Sequence, residues 1–175
     1  IGESKYKDEI DELATKYSGI DLMEYALNLN LARDFGDIMS FCKGELRLLI
    51  GSYLNRWDVW NIKTILRGKS FGAPEDEIRE TLVPAGSLGM PKLNDLIRKG
   101  TIAEVVDGLS GTMFYKPLTS MMDEYNRTRL LSIFENSLDK AYYDNLMSIK
   151  MAGTKADELF ISFLRREIDS VNLRT

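Results

Sequence analysis

An all-α fold, a helical bundle of long helices joined by a cluster of short ones, is what this 175-residue chain predicts. Three observations carry that reading. Apolar residues recur every three or four positions through most of the chain, the period of a helix with one buried face. Gly, Pro, Asp and Thr stand at the ends of those runs, where helix caps are needed. No stretch alternates apolar and polar residues convincingly enough to be a strand.

The first helix is expected over Lys5 to Tyr17, with Ile10, Leu13 and Tyr17 at helical spacing and Ser18-Gly19 as its stop. Asp21 can cap the second, because Glu24 lies three residues on and Met23, Ala26, Leu27 and Leu31 follow in register. A break is expected at Asp34 to Asp37, with Gly36 early in a new helix that runs to about Arg67. Its seam is read as Ile38, Cys42, Leu46, Leu49, Tyr53, Trp57 and Trp60. Gly68 then fits the left-handed residue that ends a helix, with Arg67 and Lys69 favoured near the negative end of the dipole.

Between Gly68 and Pro117 the texture changes to short helices separated by Gly and Pro, clustered over residues 74–108. Pro74 followed by Glu75, Asp76 and Glu77 is a good helix start, and Pro84 with Gly86 ends that element. Pro91 opens another that Gly100 closes, and Thr101 with Glu104 forms a capping box for a third. A long helix is expected over about Leu118 to Lys150, and a last one from about Lys155, capped by Thr154 with Asp157 in its first turn.

A chain of this size buries roughly 70% of its unfolded surface and can build one or two domains. The formal charge of −4 argues against a general nucleic-acid binder, which would be basic overall or on one face. The one cysteine, Cys42, cannot form an internal disulfide and reads as a small hydrophobe in a reducing compartment. No apolar run approaches the roughly 18 residues that span a bilayer, so any membrane association is expected to be indirect. The chain starts at Ile1 rather than at methionine and stops at Thr175, and it reads as a fragment of a longer protein. That fragment is expected to self-associate through Leu159, Phe160, Phe163, Leu164 and Ile168.

Catalytic chemistry finds little to work with. There is no histidine, which removes the commonest general base and every Ser-His-Asp arrangement, and zinc is left with carboxylates and one thiol. No cofactor and no catalytic or metal-binding residue is expected. Carboxylate pairs at helical spacing, such as Asp8 with Asp11 and Glu9 with Glu12, read as a solvated face. Gly68-Lys69-Ser70 is not a phosphate loop: the position that needs the first glycine is Lys63, and the segment closes a helix instead of joining strand to helix.

Residues 53–72, YLNRWDVWNIKTILRGKSFG, hold the most informative pattern. Arg56, Lys63 and Arg67 share one helical face, either as a solvated stripe of local ion pairs or as a docking strip for an acidic segment. Leu54, Asp58, Asn61 and Ile65 step down another side and set two polar groups among apolar ones. A buried Asp58 would need donors in a fixed network that sets helix register; an exposed one would meet a partner. Trp57 and Trp60 are read as core. Met113, Phe114 and Tyr115 after the Gly111-Thr112 turn form either an exposed apolar contact or a plug against the helices.

The heart of that pattern returns. Asp58, Asn61, Ile62, Lys63 and Thr64 spell D-x-x-N-I-K-T; Asp169, Asn172, Leu173, Arg174 and Thr175 spell D-x-x-N-L-R-T. Leu48, Leu49 and Ile50 match Leu159, Phe160 and Ile161 at the same offset, and Tyr53-Leu54-x-Arg56 resembles Phe163-Leu164-x-Arg166 after a one-residue slip. The chain therefore reads as one complete helical unit, 1–117, and the truncated start of a second, 118–175.

The YLxRWDxxNIKTILRGK run resembles the C subunit of archaeal and bacterial A/V-type ATP synthases, relatives of the d subunit of the eukaryotic vacuolar proton pump. Gly44-Glu45-Leu46-Arg47, Leu109-Ser110-Gly111-Thr112 and Leu138-Asp139-Lys140-Ala141-Tyr142-Tyr143 agree with it, and the resemblance covers essentially the whole chain. It implies a non-catalytic rotor part, peripheral on the cytoplasmic side of the membrane, with the proteolipid ring and the central axle as partners. It also implies three such units about a pseudo-threefold axis. A helical scaffold or regulatory module unrelated to the motor is the alternative, and an enzyme the third reading.

Overall fold

The computed structural model describes residues 6–149, 153 and 155–172. Among these are ten helices and no strand: α1 (Lys7–Leu13), α2 (Gly19–Phe41), α3 (Gly44–Phe71), α4 (Glu75–Glu80), α5 (Met90–Ile97), α6 (Ile102–Gly108), α7 (Tyr115–Ser120), α8 (Met122–Thr128), α9 (Ser132–Met147) and α10 (Lys155–Asn172). The axis of the fold is α3, whose 28 residues span about 42 Å. Ile62, Ile65 and Leu66 on its second half meet Leu93, Leu96 and Ile97 of α5, Val105 and Val106 of α6, and Phe134 and Leu138 of α9 in one core. Each of these side chains contributes roughly 1.5–3 kcal/mol by leaving water.

Capping follows the sequence closely in the short-helix cluster. Glu104 N–H donates to Thr101 Oγ1 at 3.2 Å, while the Glu104 carboxylate reaches back one residue further than in the usual box, to Gly100 N–H at 2.8 Å. Phe114 is 1% exposed and plugs the core, with Met113 and Tyr115 packed beside it. Cys42 is buried.

Several boundaries differ from expectation: α1 ends at Leu13 rather than at Tyr17, and Ser18, not Asp21, stands at the N-cap of α2. The long second helix does not break at Asp34 to Asp37: α2 runs through Gly36, which has open space around it, and the chain turns instead at Cys42 and Lys43. Both residues are extended there, and Gly44 takes φ +56°, a conformation glycine adopts without strain. Gly68 does not end α3. The helix continues to Phe71 and Gly72 takes the left-handed role, with Ala73 N–H bonding Gly68 O at 2.9 Å and Gly72 N–H bonding Lys69 O at 3.4 Å. Gly68 is needed for a different reason: a Cβ there would lie 2.5 Å from Ile78 Cδ1, so it lets α4 approach α3.

The expected helix over Leu118 to Lys150 is three helices, α7, α8 and α9. Arg129 takes φ +61°, unusual for a side-chain-bearing residue, and this reversal stacks Tyr125 of α8 on Phe134 of α9 with ring centroids 4.8 Å apart. Helical periodicity continues across the reversal, so the turn leaves no mark in the apolar pattern. The start of α10 at Lys155 agrees with expectation; Lys150 and Thr154 lie outside the described residues.

Glu9 departs from the solvated-face reading. It is 2% exposed, accepts from Arg33 Nη1 at 2.7 Å and Asn30 Nδ2 at 3.3 Å, and so ties α1 to α2. Burial pushes its carboxyl up, but backbone, Asn30 and Arg33 donors outweigh that and hold it below its usual value. Tyr17, in the segment between α1 and α2, and Tyr25 of α2 both donate to Glu80, joining them to α4. The Glu80 hydrogen bond, with burial, pushes the Tyr17 hydroxyl up to about 12.

Candidate functional site

Two polar side chains of α3 point into the loop after α4, and that loop is shaped to receive them. Asp58 and Asn61 are both 0% exposed. Asp58 Oδ2 accepts Ser87 N–H and Ser87 Oγ–H, each at 2.7 Å, and Oδ1 accepts Leu88 N–H at 2.9 Å. Asn61 pairs with the same loop as a backbone would: Nδ2 donates to Val83 O and Oδ1 accepts Val83 N–H, both at 2.8 Å. Burial pushes the Asp58 carboxyl above its ordinary value, against the three donors that pull it down. Gly86 makes room for this clamp, since a Cβ there would stand 2.2 Å from Asp58 Oδ1.

The opposite flank of α3 carries the basic residues, and each meets a carboxylate from later in the chain. Lys63 Nζ lies 2.6 Å from Asp139 Oδ1, and Arg67 Nε lies 2.6 Å from Glu135 Oε1. The reversed order of these pairs makes α3 and α9 antiparallel. The Arg67 hydrogen bond holds the Glu135 carboxyl below its usual value despite partial burial. Arg56 Nη1 meets Glu167 Oε1 of α10 at 2.9 Å and Tyr53 Oη at 2.5 Å. Nearby, Phe163 of α10 packs on Tyr53 with centroids 5.7 Å apart, and Tyr142 Oη donates to Tyr53 O at 3.1 Å.

A cleft of ≈ 540 Å³ opens beside these pairs, a volume within the range of small ligand sites. Its lining includes Trp57, Val59 and Trp60 of α3, Tyr142 and Tyr143 of α9, Glu167 of α10 and Glu24 of α2. Trp60 is 51% exposed and Trp57 half-buried, which corrects their placement on the core seam. The buried line is Leu54, Asp58, Asn61, Ile62 and Ile65, because the residue 83–88 loop satisfies the two polar groups there. Leu46 and Ile38, also assigned to the seam, are 55% and 44% exposed.

The expected site residues thus divide. Asp58 and Asn61 hold one loop, Arg56, Lys63 and Arg67 hold two helices, and Trp57 and Trp60 wall a cleft. The second motif copy does not repeat the clamp among the described residues: Asp169 is exposed on α10, while the Asn172 side chain and residues 173–175 lie outside them. Sequence reasoning missed Glu135, Asp139, Glu167, Gly86 and Ser87. Glu135 and Asp139 carried a signal, since their spacing of four matches that of Lys63 and Arg67. Gly86 and Ser87 carried none beyond loop composition. Among the described residues no cluster of three or more His, Cys, Asp or Glu could hold a metal ion, and no helix is long and apolar enough to cross a membrane.

Comparison with known proteins bears on the same residues. A family model described as ATP synthase (C/AC39) subunit matches residues 1–175. The C subunit of the A-type ATP synthase of Methanococcoides burtonii is 46% identical over 100% of this chain and 48% of its own length. The corresponding protein of Methanosarcina acetivorans is 44% identical over 100% of the chain and 48% of its own length. That of Haloferax volcanii is 40% identical over 98% of the chain and 49% of its own length. The chain spans about half the length of the curated relatives it matches.

Proposed function

The chain belongs to the ATP synthase (C/AC39) subunit family, and from that membership we propose that it forms part of a non-catalytic central-stalk subunit of a rotary A/V-type ATP synthase. In this reading it links the membrane proteolipid ring to the central axle and passes torque between them. It does so from the cytoplasmic side, without itself crossing the bilayer. The match of the family across residues 1–175 is the observation that carries the proposal. A helical scaffold unrelated to the motor does not fit that membership.

The structure supports such a role physically. A torque-bearing link must resist bending, and α3 is held over its C-terminal half by a core on one side and cross-helix ion pairs on the other. Packed interiors have low compressibility and transmit strain. In this reading the motif residues Arg56, Asp58, Asn61, Lys63 and Arg67 brace the unit internally, and residues 1–117 and 118–175 are one helical unit and the start of a second.

Affinity purification of the tagged polypeptide from detergent-solubilised native membranes tests the proposal. The expected result is co-purification with the other ATP synthase subunits. Quantitative recovery free of them would overturn it.

A further inference from the structure

We propose that the cleft walled by Trp57 and Trp60 is a docking site for a basic side chain, arginine or lysine, presented by a partner polypeptide. The proposal goes beyond the rotor reading and does not depend on it. The charges lining the cleft are unequal: Arg56 and Lys63 face Glu24, Asp139 and Glu167. Both cations are taken, Arg56 by Glu167 Oε1 and Lys63 by Asp139 Oδ1. Glu24, on the exposed side of α2, has no ion pair among the described residues. Glu167 is already engaged: its Oε1 receives Arg56, Tyr53 hydrogen-bonds to it, and its Oε2 is buried.

An exposed carboxylate without a cation, as at Glu24, leaves acceptors that a charged N–H meets more strongly than a neutral donor. The walls suit the same occupant. Trp57, Trp60, Tyr142 and Tyr143 offer aromatic faces, and Val59 and Val83 an apolar floor. Aromatic faces attract guanidinium and ammonium groups, the former also by stacking. An anion would find both cations already neutralised, and a purely apolar group would leave Glu24 unmatched. A basic residue flanked by apolar ones satisfies acceptors, walls and floor together.

Both tryptophans of the chain line this cleft, so tryptophan fluorescence, excited selectively over tyrosine, reports on it. The 175-residue chain is titrated with the pentapeptide acetyl-Ala-Leu-Arg-Leu-Ala-amide, with its citrulline twin, which keeps the shape but not the charge, and with acetyl-arginine amide. The arginine pentapeptide should give a saturable change, and the citrulline twin should bind at least about tenfold more weakly. Glu24→Gln and Glu167→Gln should each reduce that preference, with circular dichroism confirming that both remain helical. Glu24 is exposed, so its variant stays informative if loss of Glu167 loosens α10. Absence of a saturable change, equal affinity for arginine and citrulline, or a preference retained in Glu24→Gln would overturn the proposal. Acetyl-arginine amide binding as tightly as the pentapeptide would do so too, by showing a small-cation site without polypeptide docking.

Discussion

Replacing Asp58 and Gly86 by alanine, singly and together, measures how tightly one carboxylate shapes the loop over α3. Asp58→Ala removes the acceptor of Ser87 N–H, Ser87 Oγ–H and Leu88 N–H. Ser87 is exposed and can turn to water, but Leu88 is buried, and an orphaned buried N–H costs about 1–3 kcal/mol. Release of a carboxylate that burial disfavours offsets part of this, so the net loss should stay in that range. Gly86→Ala sets a methyl 2.2 Å from Asp58 Oδ1 and 2.4 Å from its Cγ. The carboxylate cannot swing aside without dropping its donors, and overpacking of this kind costs about 1–3 kcal/mol. In the double variant the clash is gone, because the carboxylate that caused it is absent. Its cost should fall below the sum of the single costs by roughly 1–2 kcal/mol. Urea denaturation followed by far-UV circular dichroism reads all three values. An unchanged midpoint for Asp58→Ala, or additivity within about 0.5 kcal/mol, would refute the reasoning.

Gly68→Ala should destabilise by about 1–3 kcal/mol, since its Cβ would stand 2.5 Å from Ile78, whereas Gly36→Ala, in open space within α2, should be neutral or stabilising. Thermal unfolding compares them, and equal melting temperatures would show that α4 does not press on Gly68. The Arg67–Glu135 pair predicts an acid limb. Arg67 holds the folded-state carboxyl low, so its stabilisation is present above the unfolded carboxylate value and is lost as pH falls through the depressed one. Because Arg67 is about half exposed, the amount should not exceed about 1 kcal/mol. Arg67→Gln should flatten that limb in stability measured against pH; an identical acid profile would count against the pair.

Helix content, the short-helix cluster and its caps were legible because they are local. Spacing of three and four, Pro74 and Pro91 at helix starts, and the Thr101–Glu104 cap each depend on residues within a turn of one another. Asp58 and Asn61 were legible as an anomaly, two polar groups in an apolar line. Their partners were not, since Val83, Ser87 and Leu88 are distant in sequence and contribute mainly backbone groups, which every residue possesses. The basic stripe was read as solvated or as a docking strip. It docks on α9 and α10 of its own chain, a pairing that spacing permits and only packing selects.

The order of residues alone was enough for an all-helical chain, the residues that punctuate it, and a repeated motif whose resemblance pointed to the family. Packing in three dimensions was needed for the turn at Cys42 and Lys43, the division of residues 118–150 at Arg129, the face of α3 that is buried, and the convergence of Trp57, Trp60, Glu24 and Glu167 on one cleft. The difference is one of range. Periodicity and caps act within a helical turn, whereas the burial of a face and the matching of charges depend on which distant element arrives to cover them.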